Sequence, residues 1–174
     1  MNLSLTEKLR SVKPRGKKVL FVCVGTDRST GDALGPIVGT KLKAKGYDVL
    51  GTIDDPVHAQ NISETIEYIE KTYKDYFVIA IDASLGKFND VGKIKIKKEA
   101  LKPGAGVGKK LPEIGDVTIA GIVNVGGYME YFVLQNTRLS LVMRMADEIF
   151  QVIQKEIRPP RRSKRLREMF ALGS

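Results

Sequence analysis

The chain of 174 residues holds a single cysteine, Cys23, and a single histidine, His58. One cysteine excludes an intrachain disulfide, and its position inside the apolar run "VLFVCV" makes it a packed thiol rather than a reactive one. No apolar stretch approaches the roughly 18 residues that cross a bilayer, and no signal-peptide core follows Met1. The protein is therefore expected to be cytoplasmic, without membrane contact. Two nucleotide signatures are missing as well. "GTDRSTGDALG" lacks the Gly-Lys-Ser/Thr ending of a phosphate loop and the Gly-x-Gly-x-x-Gly spacing of a dinucleotide fingerprint. Ser29 or Thr30 as a nucleophile would have to recruit the lone His58 as base, which makes nucleophilic catalysis a minor reading. No internal repeat is evident.

What is present fits one domain. Hydrophobic residues make up 43% and charged residues 28%, as in folded chains of this length. The net charge of +9 is uneven: "RPPRRSKRLR", Arg158 to Arg167, contains six basic residues and no acidic one, and the rest of the chain carries about +3. The expected organisation is an N-terminal extension over 1–17, one α/β domain over 18–157, and a basic tail over 158–174. The tail reads first as a solvated segment, with nucleic acid or an acidic partner as its functional alternative.

Hydrophobic spacing predicts the elements. "KKVLFVCVG", "YDVLGTI", "YFVIAID" and "DVTIAGIVN" read as strands, and "GKIKIKK" as a strand exposed on one side. "LGPIVGTKLKAKG" and "NISETIEYIEKTYKDY" read as helices, the first closed by Gly46 and the second opened by Asn61 or Ser63. Residues 129–157 read as one long helix, whose Phe132, Leu139, Met143 and Phe150 leave room for a partner such as a second copy of the chain. The order implies an α/β fold of three layers, phosphorylase/hydrolase-like, with a mainly parallel central sheet and helices on both faces. The Gly- and Pro-rich stretch "ALKPGAGVGKKLPEIGD" is too long for a connector and reads as a flap over a cleft.

In such sheets ligands bind beyond the carboxyl ends of the strands. Polar residues gather there: Asp27, Arg28 and Asp32 after the first strand, Asp54, Asp55 and His58 after the second, Asp82 after the third, and Asn124, Gly126 and Gly127 after the last. Asp82 follows four apolar residues, so partial desolvation should raise its pKa. Asp32 sits where a helix begins and could instead serve the helix dipole. Two aspartates meeting at adjacent strand ends can share a proton or hold a divalent cation, with His58 as a candidate third ligand. Arg28 suits an acidic substrate group or simple neutralisation of Asp27 and Asp32, and the N–H groups over 125–127 or in the first loop suit an oxyanion.

Four blocks, "GTDRSTGDALGP", "GTIDDPVHAQN", "LKPGAGVGKKLPEIGD" and "GIVNVGGYMEYFVLQNTRLSLVM", resemble the YyaC-like sporulation proteins of spore-forming Firmicutes over about residues 18–155. That family is similar, more distantly, to the spore germination protease, which degrades small acid-soluble DNA-coating proteins and shares an α/β fold with hydrogenase maturation endopeptidases. The resemblance implies that Asp32 in "GDALGP" and Asp82 in "AIDAS" match the germination protease's essential aspartates. The endopeptidases pair comparable acids with a histidine that lies later in the chain than His58. The implied function is a sporulation-associated peptidase acting in the forespore or spore core on a spore protein. The alternatives are an inactive binding or regulatory protein on a protease-like fold, or a small-ligand enzyme with a closed pocket roofed by residues 102–115.

Overall fold

A computed structural model of the chain describes residues 3–103 and 111–161. Residues 104–110 of the expected flap and 162–174 of the basic tail lie outside the described residues.

The first helix, α1 (Leu5–Val12), is set by a capping box: Glu7 N–H donates to Ser4 Oγ at 3.2 Å and Ser4 N–H to Glu7 Oε2 at 2.8 Å. Its Leu9 is fully buried in the main core, so the N-terminal segment contributes to packing. The strands β1 (Val19–Cys23), β2 (Asp48–Leu50), β3 (Phe77–Gly86), β4 (Ile94–Lys97) and β5 (Val117–Val125) form one sheet in the order β2-β1-β3-β5-β4. All neighbours pair in parallel except β4, which runs antiparallel to β5 at the edge. There Ile94 and Ile96 turn inward and Lys95 and Lys97 outward, the alternation of a half-exposed strand.

Alternation along the inner strands builds two cores. Phe21, Cys23, Ile79 and Ile81 face α1, α2 (Leu34–Ala44) and α5 (Leu139–Glu156). Leu20, Val22, Val78 and Ala80 face Ile62 and Ile69 of α3 (Ile62–Thr72). The three-layer α/β expectation is met. Cys23 is buried, and burial pushes its thiol pKa up, as for a packing residue.

Two expectations are corrected. The long terminal helix is two helices, α4 (Glu130–Gln135) and α5, because side chains between them take up backbone carbonyls. Buried Thr137 Oγ1 donates to Val133 O at 2.9 Å, and Asn136 Nδ2 donates to Phe132 O at 2.8 Å. The third strand does not end at Asp82 but continues to Gly86, because β5 continues beside it to Val125.

The far end of α5 is tied to α1 by Glu156, which lies 2.7 Å from Arg10 and 3.0 Å from Lys13. Those hydrogen bonds hold its carboxyl down at about 2. A lowered folded-state pKa adds stability above the unfolded carboxylate range, and that stability is lost as pH falls toward 2. Glu156→Gln is expected to lower the melting temperature at pH 7 and to flatten the acid side of the stability–pH curve, read by circular dichroism.

Candidate functional site

Strand order reverses direction at β1 and β3: from β1 the chain goes outward to β2, then returns to the other side of β1 as β3. A crevice forms beyond the carboxyl ends at such a switch point. Asp82 lies there. Cys23, the last residue of β1, pairs with Ile81, and Val24 N–H donates to Ile81 O at 2.7 Å. One residue later β1 has left the sheet, so Asp82 to Gly86 pair with β5 on one side only. The strand end that matters for Asp82 is its neighbour's.

The segment leaving β1 carries Asp32. Gly25, at φ 141, lets the chain turn: its N–H donates to Val57 O at 2.8 Å, and Thr26 N–H donates to Asp32 O at 3.2 Å. A Cβ on Gly25 would run into the Asp32 carbonyl oxygen. Asp32 then sits in a 3-10 turn, Gly31–Ala33, that leads into α2. Neither this turn nor α2 is capped by a side chain, so the Asp32 carboxylate is not used as an N-cap. Asp82, inside a strand, caps no helix either.

The electrostatics join the two. Desolvation, and then the nearby charge of Asp32, push Asp82 well above the usual carboxylate range, opposed only by the Ala83 backbone. Desolvation also raises Asp32, against the Ser29 hydroxyl. Ser29, which sequence reading weighed only as a nucleophile, is buried, and its Oγ makes no hydrogen bond of good geometry. It is held beside Asp32 as a spare donor, a role no motif announces.

The remaining candidates divide. Asp27 and Arg28 are exposed on the same loop, and Arg28 N–H donates to Thr26 Oγ1 at 3.2 Å. Arg28 forms no ion pair with Asp27, Asp32 or any other carboxylate among the described residues, so it does not act as their neutraliser. Asp54 and Asp55 are exposed after β2. Asn124 is engaged structurally: Nδ2 donates to Thr137 Oγ1 at 3.2 Å and to Val133 O at 3.3 Å, pinning α4 to β5. The oxyanion role expected over 125–127 loses its donors. Val125 N–H goes to Asn124 Oδ1, Gly126 N–H to Gly86 O and Gly127 N–H to Glu130 Oε1.

His58 is half-buried, and its Nδ1 accepts from Gln60 N–H at 3.2 Å. Among the described residues no three His, Cys, Asp or Glu side chains converge on a point, so Asp32, Asp82 and His58 do not assemble as the ligand set expected for a divalent cation. What links Asp32 to Asp82 is the charge of the first felt at the second.

A rim of exposed apolar side chains follows β5, of which the sequence had offered only Phe132. Tyr128 is 82% and Tyr131 70% exposed, with Met129 (φ 47), Phe132 and Val125 beside them in the chain. The helix α4 that carries part of this rim packs on the turn that holds Asp32, Leu134 lying against Gly31.

A family model described as a protein of unknown function, DUF1256, matches residues 2–152. The uncharacterized protein YyaC of Bacillus subtilis (strain 168) is 53% identical over 165 residues, covering 93% of this chain and 80% of the relative. The resemblance read from the four sequence blocks therefore holds. Two solved structures, both of NiFe hydrogenase maturation proteases from Thermococcus kodakarensis, share the fold. HycI aligns with a TM-score of 0.57 at 18% identity, covering 86% of this chain and 97% of its own. HybD aligns with a TM-score of 0.50 at 14% identity, covering 79% and 97%. No helix among the described residues is long and apolar enough to cross a membrane.

Proposed function

The chain belongs to the DUF1256 family, and from the geometry of its switch-point crevice we propose that it is a peptidase in which Asp32 and Asp82 share one proton and activate water. One observation carries this reading: the electrostatically coupled pair stands where β3 loses its β1 partner, so an unpaired strand edge runs beside the carboxylates. An extended peptide can add to such an edge, with main-chain hydrogen bonds aligning a carbonyl and the exposed Tyr128, Tyr131 and Phe132 receiving its side chains.

The chemistry follows from the unequal environments. Asp82, the more strongly raised, keeps the proton, and Asp32 is the ionised partner. Asp32 takes a proton from water as the water oxygen attacks the peptide carbonyl carbon, and Asp82 gives its proton to the carbonyl oxygen. Collapse of the resulting gem-diol breaks the C–N bond. Asp32 then passes its proton to the departing amine, and Asp82 recovers one from the hydroxyl. Arg28 is free to meet an acidic side chain or carboxylate of the substrate. A spore protein cleaved in the forespore or spore core is the substrate that the family resemblance suggests.

The test is cleavage of a small acid-soluble spore protein as a function of pH, followed by mass spectrometry. A bell-shaped rate profile is expected, with apparent pKa values that belong to the pair. Both limbs should be displaced upward, the alkaline one the more strongly, because both groups are raised, and the rate should fall at high pH as the shared proton is lost. Cleavage unchanged in Asp32→Asn would remove the paired-aspartate mechanism, and no cleavage of any extended polypeptide would leave the fold as a binding scaffold.

A further inference from the structure

The opposite end of the sheet holds a second feature that the peptidase reading does not use. A cleft of about 350 Å³ opens there between the linker before β1 and the end of α5. Its lining includes Lys13, Lys17, Lys18, Tyr47, Glu156 and Arg158, and Arg15 and Arg161 flank it in the chain. It lies about 20 Å from the Asp82 end of β1, six residue steps of extended chain from Val19 to Gly25.

The charge of this cleft is not self-cancelling. Glu156, its one lining carboxylate, is already shared by Arg10 and Lys13. Tyr47 is turned inward and donates its hydroxyl to Ile157 O at 2.7 Å. Lys17, Lys18 and Arg158 are exposed, and none forms an ion pair among the described residues. Lys18 only rests over the Tyr76 ring, 5.6 Å from its centroid. Among the other carboxylates at this end, Asp48, Asp75 and Asp116 stand more than 4.0 Å from these cations, Asp116 accepting Val78 N–H at 2.8 Å, and Glu99 pairs with Lys97.

We infer that this cleft binds the phosphate backbone of nucleic acid, with Lys17, Lys18 and Arg158 as the contacting cations. Three observations select that ligand. The cations are exposed along an open cleft rather than enclosed, which suits a chain of phosphates better than one small anion. None of the exposed large apolar side chains belongs to the lining, so the cleft lacks the apolar anchors on which protein partners rely. In the sequence, Arg158 opens a run, Arg158 to Arg167, with six basic residues and no acidic one.

The experiment is fluorescence anisotropy of a labelled 20-base-pair DNA duplex with the full chain across a salt series. Binding should weaken linearly in log–log form as salt rises. Lys17→Gln/Lys18→Gln/Arg158→Gln should lower the slope by about 2 to 3 and weaken binding at 100 mM salt about tenfold or more, with an unchanged circular dichroism spectrum. A variant with Arg162, Lys164, Arg165 and Arg167 changed to Gln should retain measurable binding. Loss of all binding in that variant, with none lost in the cleft variant, would overturn the proposal by moving the site to the tail. Tighter binding to poly-glutamate than to the duplex would overturn it in favour of an acidic protein. Displacement of the duplex by millimolar inorganic phosphate, at constant ionic strength, would overturn it in favour of a small phosphate ligand.

Discussion

Asp82→Asn is expected to cut peptide hydrolysis by about 10²- to 10⁴-fold, the range for removing a positioned acid or base, while making the folded protein more stable at pH 7. The two effects share one cause. Burial and the Asp32 charge raise the folded-state pKa of Asp82 above its unfolded value. Between those two values the folded chain holds a proton that the unfolded chain has released, so stability declines as pH rises through that window. At pH 7 the fold therefore bears an electrostatic penalty that a neutral amide of the same shape does not. The gain should be about 1 kcal/mol, in the range seen when strained functional groups are relieved, or about 2–4 °C in a domain of this size. It should shrink toward pH 4 and vanish below it, where the unfolded carboxyl is itself protonated. This is opposite in sign to Glu156, whose ion pairs lower its pKa and add stability at neutral pH. Thermal melts of wild type and Asp82→Asn from pH 4 to 8 separate the two: converging curves at low pH are expected, and a destabilised variant at pH 7 would remove the charge argument.

Gly25→Ala should be the more damaging change, although it touches no catalytic group. A side chain there meets a φ of 141, the Asp32 carbonyl oxygen and Pro36 Cδ, the last at 2.9 Å. Strain and overpacking together should cost about 4 kcal/mol, or roughly 10 °C for a chain of this length. The loop cannot yield without breaking the Thr26–Asp32 backbone hydrogen bond that sets the turn under Asp32. Activity should fall even at temperatures where the variant is folded. A melting temperature within 2 °C of wild type, by contrast, would mean that the Gly25 turn does not position Asp32.

Much of this was legible in the sequence because period and burial agree. Apolar runs such as "VLFVC" and "FVIAI" marked parallel strands, and a carboxylate placed straight after one of them stood out. Hydrophobic spacing could not show that β3 outruns β1, because the length of a strand is settled by its neighbour, here β5. Nor could it divide residues 129–157, since the apolar face is nearly continuous and the break comes from Thr137 and Asn136 competing for carbonyls. Ser29 gave no signal because its significance is its burial, and of the basic cleft only the run from Arg158 was visible, because the two walls are about 140 positions apart in the chain.

Asp32 and Asp82 should titrate as one unit. Carbon-13 NMR titration of the Asp82 carboxyl, in wild type and in Asp32→Asn, tests it most directly. A midpoint well above the ordinary carboxylate range is expected in wild type, moving down but remaining raised when the Asp32 charge is removed, since burial persists. A midpoint near 4 that ignores the Asp32 substitution would contradict it, leaving two separate carboxylates and no shared proton.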